Sequence, residues 1–158
     1  MENTPDSGDP FDLNRFIRAQ AQGYSSALSE IIAGRKRTHW MWYIFPQIDG
    51  LGRSPTARHY AIKSLDEARA YLHHPVLGAR LLQCAEAVVQ VHGRTAREIF
   101  GFPDDLKLRS SATLFAAVLP KPSVFTRILD AYYQGIPDEH TLDILQSQNP
   151  PPPTQPAK

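Results

Sequence analysis

The sequence predicts an all-α fold: a compact single domain of about seven to nine helices with disordered termini. Three observations carry this. Apolar residues recur at three- and four-residue spacing in one segment after another. The segments are punctuated by cap chemistry, with serine, threonine or aspartate at their starts and glycine or proline at their ends. No segment sustains the apolar–polar alternation of a half-buried strand.

In chain order, Asp12 is placed to cap a first helix carrying Leu13, Phe16, Ile17 and Gln20, and Gly23 interrupts it. A second run, Tyr24, Ala27, Leu28, Ile31 and Ile32, closes at Gly34 as a left-handed cap. The aromatic stretch 39–45 follows. Ser54-Pro55 is an N-cap with proline at the first helical position, opening a short helix with Tyr60 and Ile62. Ser64 with Glu67 and Thr95 with Glu98 have capping-box spacing. His74-Pro75 separates the helix of Leu65, Ala68, Tyr71 and Leu72 from a long stripe, Leu77, Leu81, Cys84, Ala85, Val88 and Val89. Cys84 on that stripe reads as a buried thiol acting as a small hydrophobe. Ile99 and Phe100 sit on a short helix that stops near Gly101. Pro103-Asp104-Asp105 opens another, with Leu106, Thr113, Leu114, Ala117 and Val118 at helical spacing. Ser123 and Asp138 are placed to cap the last two helices.

A chain of 158 residues is one domain by size, and 42% hydrophobic content suffices for a core. A formal net charge of +1 argues against a dedicated duplex nucleic-acid binder. The single cysteine allows no intramolecular disulfide and points to a reducing, cytoplasmic setting. The polar N-terminus lacks a signal-peptide pattern, and no run approaches the roughly 20 apolar residues of a membrane span. Residues 1–10 read as a disordered tail and residues 146–158, with four consecutive prolines, as an extended polyproline one. The all-α domain is expected over residues 11–145.

Three constellations could carry chemistry. The first is the stretch 39–45. If helical, it sets Trp40, Tyr43 and Ile44 on one side and Met41, Trp42 and Phe45 on the other. Its rings either fill the centre of a small core or line a pocket. In the second case a flat group stacks on Trp40 or Trp42, with His39 and Gln47 as polar handles. Arg35, Lys36 and Arg37 precede it, as a solvated run or as holders of a phosphate or carboxylate. The second is the loop Gly50, Leu51, Gly52, Arg53, Ser54, leading into a helix N-terminus that attracts anions. It matches neither the dinucleotide fingerprint nor the P-loop. The third is Arg109, Ser110 and Thr113 within one helical turn, either a hydrogen-bonded structural knot or the wall of the same pocket. Asp104 and Asp105 there are caps or general bases. Metal binding is not expected: no two of the six histidines share i, i+4 spacing, and the one cysteine has no cysteine partner. No Gly-x-Ser-x-Gly elbow is present. No cofactor is implied.

The chain over residues 11–145 resembles domain of unknown function family 1810, whose members are sometimes mislabelled calpastatin. The residues that carry the resemblance are Asp12-Leu13-Asn14-Arg15-Phe16 with Ala19-Gln20, and Thr38-His39-Trp40-Met41-Trp42-Tyr43-Ile44-Phe45-Pro46-Gln47. Gly50-Leu51-Gly52 with Ser54, Tyr60-Ala61-Ile62, and His74-Pro75-Val76-Leu77-Gly78 with Arg80-Leu81 add to it. So do Ile99-Phe100-Gly101 and Lys107-Leu108-Arg109-Ser110-Ser111 with Thr113-Leu114-Phe115. Ala112 stands where the family pattern often has methionine. The resemblance implies an all-α fold and no established activity. The C-terminal half is also faintly similar to N-glycosidases acting on ADP-ribose-type and riboflavin-precursor substrates, but that family's catalytic glutamate has no counterpart in a comparable motif here.

These readings lead to one expectation: a pocket for a planar anionic ligand, nucleotide or ADP-ribose-like, with N-glycoside hydrolysis as the chemistry to test. Trp40 or Trp42 would stack on the base, Arg53 and Arg109 would hold phosphates, and His39 would transfer protons. Asp104 or Asp105 would stabilise the sugar-like cation or activate water. The alternatives are a non-catalytic protein-interaction module and a single-stranded nucleic-acid binder. The pocket reading requires the Trp-rich segment, the glycine loop and the Arg109 turn to face one hollow.

Overall fold

In the computed structural model, residues 8–148 are described, and they form nine α-helices and one isolated bridge. The helices are α1 (Asn14–Ile32), α2 (Met41–Ile44), α3 (Pro55–His59), α4 (Leu65–His73) and α5 (Leu77–Gln90), then α6 (Ala96–Phe100), α7 (Asp104–Ala116), α8 (Val124–Tyr133) and α9 (Glu139–Gln148). The expected tails lie outside the described residues except at 8–10 and 146–148. There, Asp9 accepts from the N–H groups of Leu13 at 2.7 Å and Asn14 at 3.0 Å, and α9 runs to Gln148. No helix of the described residues is long and apolar enough to cross a membrane.

Two helices were expected before Gly34, and one forms. Gly23 does not interrupt α1, because its role is steric. The Tyr43 ring lies over it so closely that a Cβ there would come within 2.3 Å of the tyrosine hydroxyl. Asp12 does not cap α1 either. It sits at φ 52°, and the carboxylate of Asp9 takes the cap. Gly34 closes the helix as read, at φ 75°, donating to the Ile31 carbonyl at 2.8 Å.

The remaining caps follow local chemistry. Ser54 accepts from Ala57 N at 3.1 Å, with proline at the first turn of α3. Thr95 and Glu98 form a complete capping box on α6. The box at Ser64 is only half made: Ser64 accepts from Glu67 N, but the Glu67 carboxylate accepts from Lys63 N and turns to Arg15. Asp104 and Asp105 lie in the first turn of α7 without capping it; there they complement the positive end of the helix dipole. Asp138 accepts from Thr141 N at 2.9 Å at the start of α9.

Helices α5 and α7 form the centre. α5 packs on α1, α4 and α8, and α7 packs on α4, α6, α8 and α9. A ladder of rings crosses four helices: Phe16 meets Tyr71 edge-on at 5.0 Å, Tyr71 meets Phe115 at 5.5 Å, and Phe115 meets Phe125 at 5.6 Å. Such pairs add about 0.5–1.5 kcal/mol each beyond their buried area. Cys84 is wholly buried in this core. Burial pushes its thiol up to about 12, against the smaller opposing pull of the Tyr24 hydroxyl and Arg80.

A buried ion pair ties the start of α1 to α4. Arg15 meets Glu67 at 2.7 Å, and both are almost inaccessible. The guanidinium also donates to the carbonyls of Phe11, Asp12, His59 and Ala61 at 2.7–2.9 Å. Arginine's fork of five N–H donors can serve so many acceptors at once, whereas lysine has three. Replacing Arg15 by Met strands Glu67 and these carbonyls, and is expected to cost about 3–5 kcal/mol in urea unfolding. Gly23→Ala is expected to lower stability, against the helix-propensity gain of about 1 kcal/mol. In a Tyr43→Ala background the same change should raise it; a double-mutant cycle in urea measures the reversal.

Candidate functional site

The aromatic stretch does not run through the core as one helix. Only Met41–Ile44 is helical, a single turn. Trp40 is 1% exposed, and Met41, Ile44 and Phe45 are buried with it, while Trp42 and Tyr43 are half-buried. The two indoles therefore have different roles. Trp40 is core: its ring meets Phe100 edge-on at 6.2 Å, and its Nε1–H donates to Glu30 at 2.9 Å. Trp42 lines a surface hollow.

That hollow has a volume of about 330 Å³ and is lined by Lys36, Arg37, His39, Met41, Trp42, Phe100, Phe102, Pro103 and Asp104. Its volume falls within the range of small-ligand sites, at the lower end. One wall is the segment after Gly34, pinned to α6 by Lys36 N donating to the Ile99 carbonyl at 2.7 Å. The other is the junction of α6 and α7, where Gly101 at φ 79° turns the chain into Phe102 and Pro103. Lys36 is not solvated, as the middle of a basic run would be. Its side chain is 7% exposed, 2.9 Å from Asp104 and 5.1 Å from the centre of the Trp40 ring. Lys107 approaches Asp104 from within α7 at 3.5 Å and lies 5.2 Å from the Trp42 ring centre. Asp104 is thus held between two ammonium groups beside two indoles.

Glu30, near the end of α1, holds the segment in place. Its carboxylate accepts from Arg37 N, Thr38 N, the Thr38 hydroxyl and the Trp40 indole, at 2.7–3.0 Å. Burial alone would raise its pKa. The bonds from the Arg37 and Thr38 backbone, Trp40 and the Thr38 hydroxyl together outweigh burial and hold it down at about 2.

Among the residues read as site candidates, the structure brings His39, Trp42 and Asp104 to one hollow, with Trp40 behind its wall. Gln47 and Gly52 share only Trp42 with it. They line a crevice of about 10 Å³ on another side, with Tyr60 and Ala57. That volume holds at most one water molecule. Nor do the two loop glycines serve ligand approach. Gly50, at φ 109°, lies against Ile144 of α9, and a Cβ on Gly52 would come within 2.5 Å of the Ala57 methyl. Ser54 is a cap, and Arg53 is exposed and lines none of these hollows. Arg109 sits elsewhere: it donates to the Ile136 carbonyl at 2.9 Å, lies 5.7 Å from the Tyr133 ring centre, and lines a separate hollow with Glu139 and His140. Ser110 donates within its own helix to Leu106, and Thr113 to Arg109, while Thr113 also accepts from Asp138 N. The Asp105 carboxylate is not among the lining groups; its backbone carbonyl accepts from Tyr133. The common hollow expected for all three constellations does not form.

Six contributors carried no sequence signal strong enough to select them as site residues: Glu30, Lys36, Arg37, Phe100, Phe102 and Lys107. A basic triplet next to the rings was the only hint among them. The Glu30 linkage has a definite sign. Its folded pKa lies below the ordinary 4.5, so its stabilisation is complete above pH 4.5 and is lost as pH falls toward 2. Glu30→Gln is expected to be about 1 kcal/mol less stable than the parent at pH 7, since solvent reaches this carboxylate and weakens it. The two proteins should converge in acid unfolding measurements between pH 4.5 and 2.

The model of the family described as "Protein of unknown function (DUF1810)" matches residues 10–145. The structure is similar to the crystal structure of the conserved hypothetical protein Rv1873 from Mycobacterium tuberculosis, at 55% identity and a TM-score of 0.85. That similarity covers 87% of this chain and 98% of the other. No curated protein matches the chain. With the family model spanning nearly all of the described helices, the chain belongs to the DUF1810 family.

Proposed function

We propose that this domain binds a planar, anionic small molecule of the nucleotide type in the hollow between the segment after Gly34 and the α6–α7 junction. One observation carries the reading: Trp42, Phe100 and Phe102 line the same 330 Å³ space as Arg37 and His39. A flat base stacks on Trp42, and Arg37 with His39 meets the phosphate. Arg53 and Arg109 have no part in it. Asp104 is the carboxylate of this site, already neutralised by Lys36 and Lys107.

N-glycoside hydrolysis is the narrower form of the proposal. Glycosidase chemistry ordinarily uses two carboxylates about 5–9.5 Å apart, and Asp104 is the one carboxylate among the groups lining this hollow. Asp104 fits the role of counter-charge to a sugar-like cation better than that of proton carrier. Chromatography after incubation with nucleoside monophosphates tests it: release of free base that Asp104→Asn abolishes supports hydrolysis. The lone cysteine supports a cytoplasmic setting.

Calorimetric titration with AMP, UMP and ADP-ribose tests binding. Trp42→Ala and Arg37→Ala are each expected to weaken binding at least tenfold, about 1.4 kcal/mol. Phe102→Ala, at a side chain whose removal leaves the core intact, should weaken it severalfold, and Arg109→Ala should leave it within twofold. If none of the three nucleotides releases heat or raises the melting temperature, the reading fails.

A further inference from the structure

The lining of the hollow continues outward as a basic surface that the net charge of +1 conceals. Phe102 is 64% exposed, and the Arg97 guanidinium lies 4.9 Å from the centre of its ring. Gly34, which opens the segment bearing Arg35 and Arg37, packs against Arg94: a Cβ on it would lie 3.4 Å from the Arg94 Cδ. Arg35, Arg37, Arg94 and Arg97 are thus gathered around the hollow, all four exposed. None of the four has a carboxylate partner among the described residues. The nearby acids are already engaged. Glu30 holds the segment, Glu98 completes the α6 capping box, and Asp104 lies between two lysines.

We infer that this face binds a single-stranded polynucleotide, one nucleotide of which occupies the hollow while the neighbouring phosphates meet Arg35, Arg94 and Arg97. The inference rests on the nucleotide reading of the hollow. Two features favour this occupant over other polyanions. Exposed rings beside unpaired guanidinium groups are the surface on which unpaired bases stack, whereas an acidic peptide brings no flat group to Phe102 or Trp42. A duplex keeps its bases inside, where neither ring reaches them, so the strand must be single.

Fluorescence anisotropy with a labelled uridine octamer and a labelled thymidine octamer, set beside calorimetry with UMP, tests this on the full chain. The octamer is expected to bind at least about 30-fold more tightly than UMP. With four phosphate contacts, the one at Arg37 included, its affinity should fall about 50-fold between 50 and 200 mM salt. Arg35→Glu with Arg94→Glu, outside the hollow, should weaken the octamer at least tenfold and leave UMP binding unchanged. A preference between the two octamers tells RNA from DNA, and either supports the inference. If UMP binds but neither octamer binds more tightly, and the double variant changes nothing, the track is overturned and the hollow stands. If none of UMP, AMP and ADP-ribose binds, the nucleotide reading fails and this inference falls with it. If oligoglutamate binds as tightly as the octamers, the face serves an acidic protein and the inference is overturned.

Discussion

The carboxylate of Glu30 accepts four hydrogen bonds from the residues just beyond the end of its own helix. A negative group near a helix C-terminus is ordinarily unfavourable, because the helix dipole is negative there. Four donors reverse the balance, and the depressed pKa records it. Gly34 makes this possible: at φ 75° it folds the chain back, so that Arg37 and Thr38 present their N–H groups to the last turn they have just left. The same carboxylate takes the indole N–H of Trp40 and so fixes that ring in the core. Trp42 follows two residues later, some 200° around the next helical turn, and faces the hollow instead.

Once the segment is turned in this way, Lys36 is directed inward and must find an acid. Asp104 supplies it, from the first turn of a helix that begins 68 residues later in the chain. The contact joins the loop after α1 to the start of the central helix, and the indole of Trp40 covers the ammonium. Breaking such a pair by removing one partner costs several times what an exposed pair is worth, since the survivor stays desolvated. The hollow is therefore framed by two segments locked to each other.

The fold was readable because helical spacing and caps are local. The all-α class, the left-handed close at Gly34, the Ser54-Pro55 start and the Thr95–Glu98 box depend on residues within a turn or two of one another. The failures are tertiary. Gly23 has the appearance of a break, and only Tyr43, twenty residues on, shows why glycine is needed there. Glu67 has the spacing of a capping box and is claimed by Arg15. The site divides in the same way. The Trp-rich stretch marked where the hollow is, but not which indole lines it. Arg109, Ser110 and Thr113 drew attention as a polar patch in an apolar helix. In fact Ser110 and Thr113 bond to carbonyls one turn back, which lets a polar residue be buried at little cost. Gly50 and Gly52 are explained by Ile144 and Ala57.

Charge balance then narrows what the hollow can accept. Of the cations lining it or touching it, Lys36 and Lys107 are committed to Asp104, and that trio sums to a single positive charge already shared among close partners. Arg37 remains, exposed at its edge beside His39. An anion entering there gains charge-assisted hydrogen bonds from Arg37 without breaking an existing ion pair, whereas one forced deeper competes with Asp104 for both lysines. A ligand bound as proposed would place its flat, uncharged part inward against Trp42 and its anionic part outward toward Arg37. The same orientation would let a phosphate continue from the hollow onto the arginines beyond it.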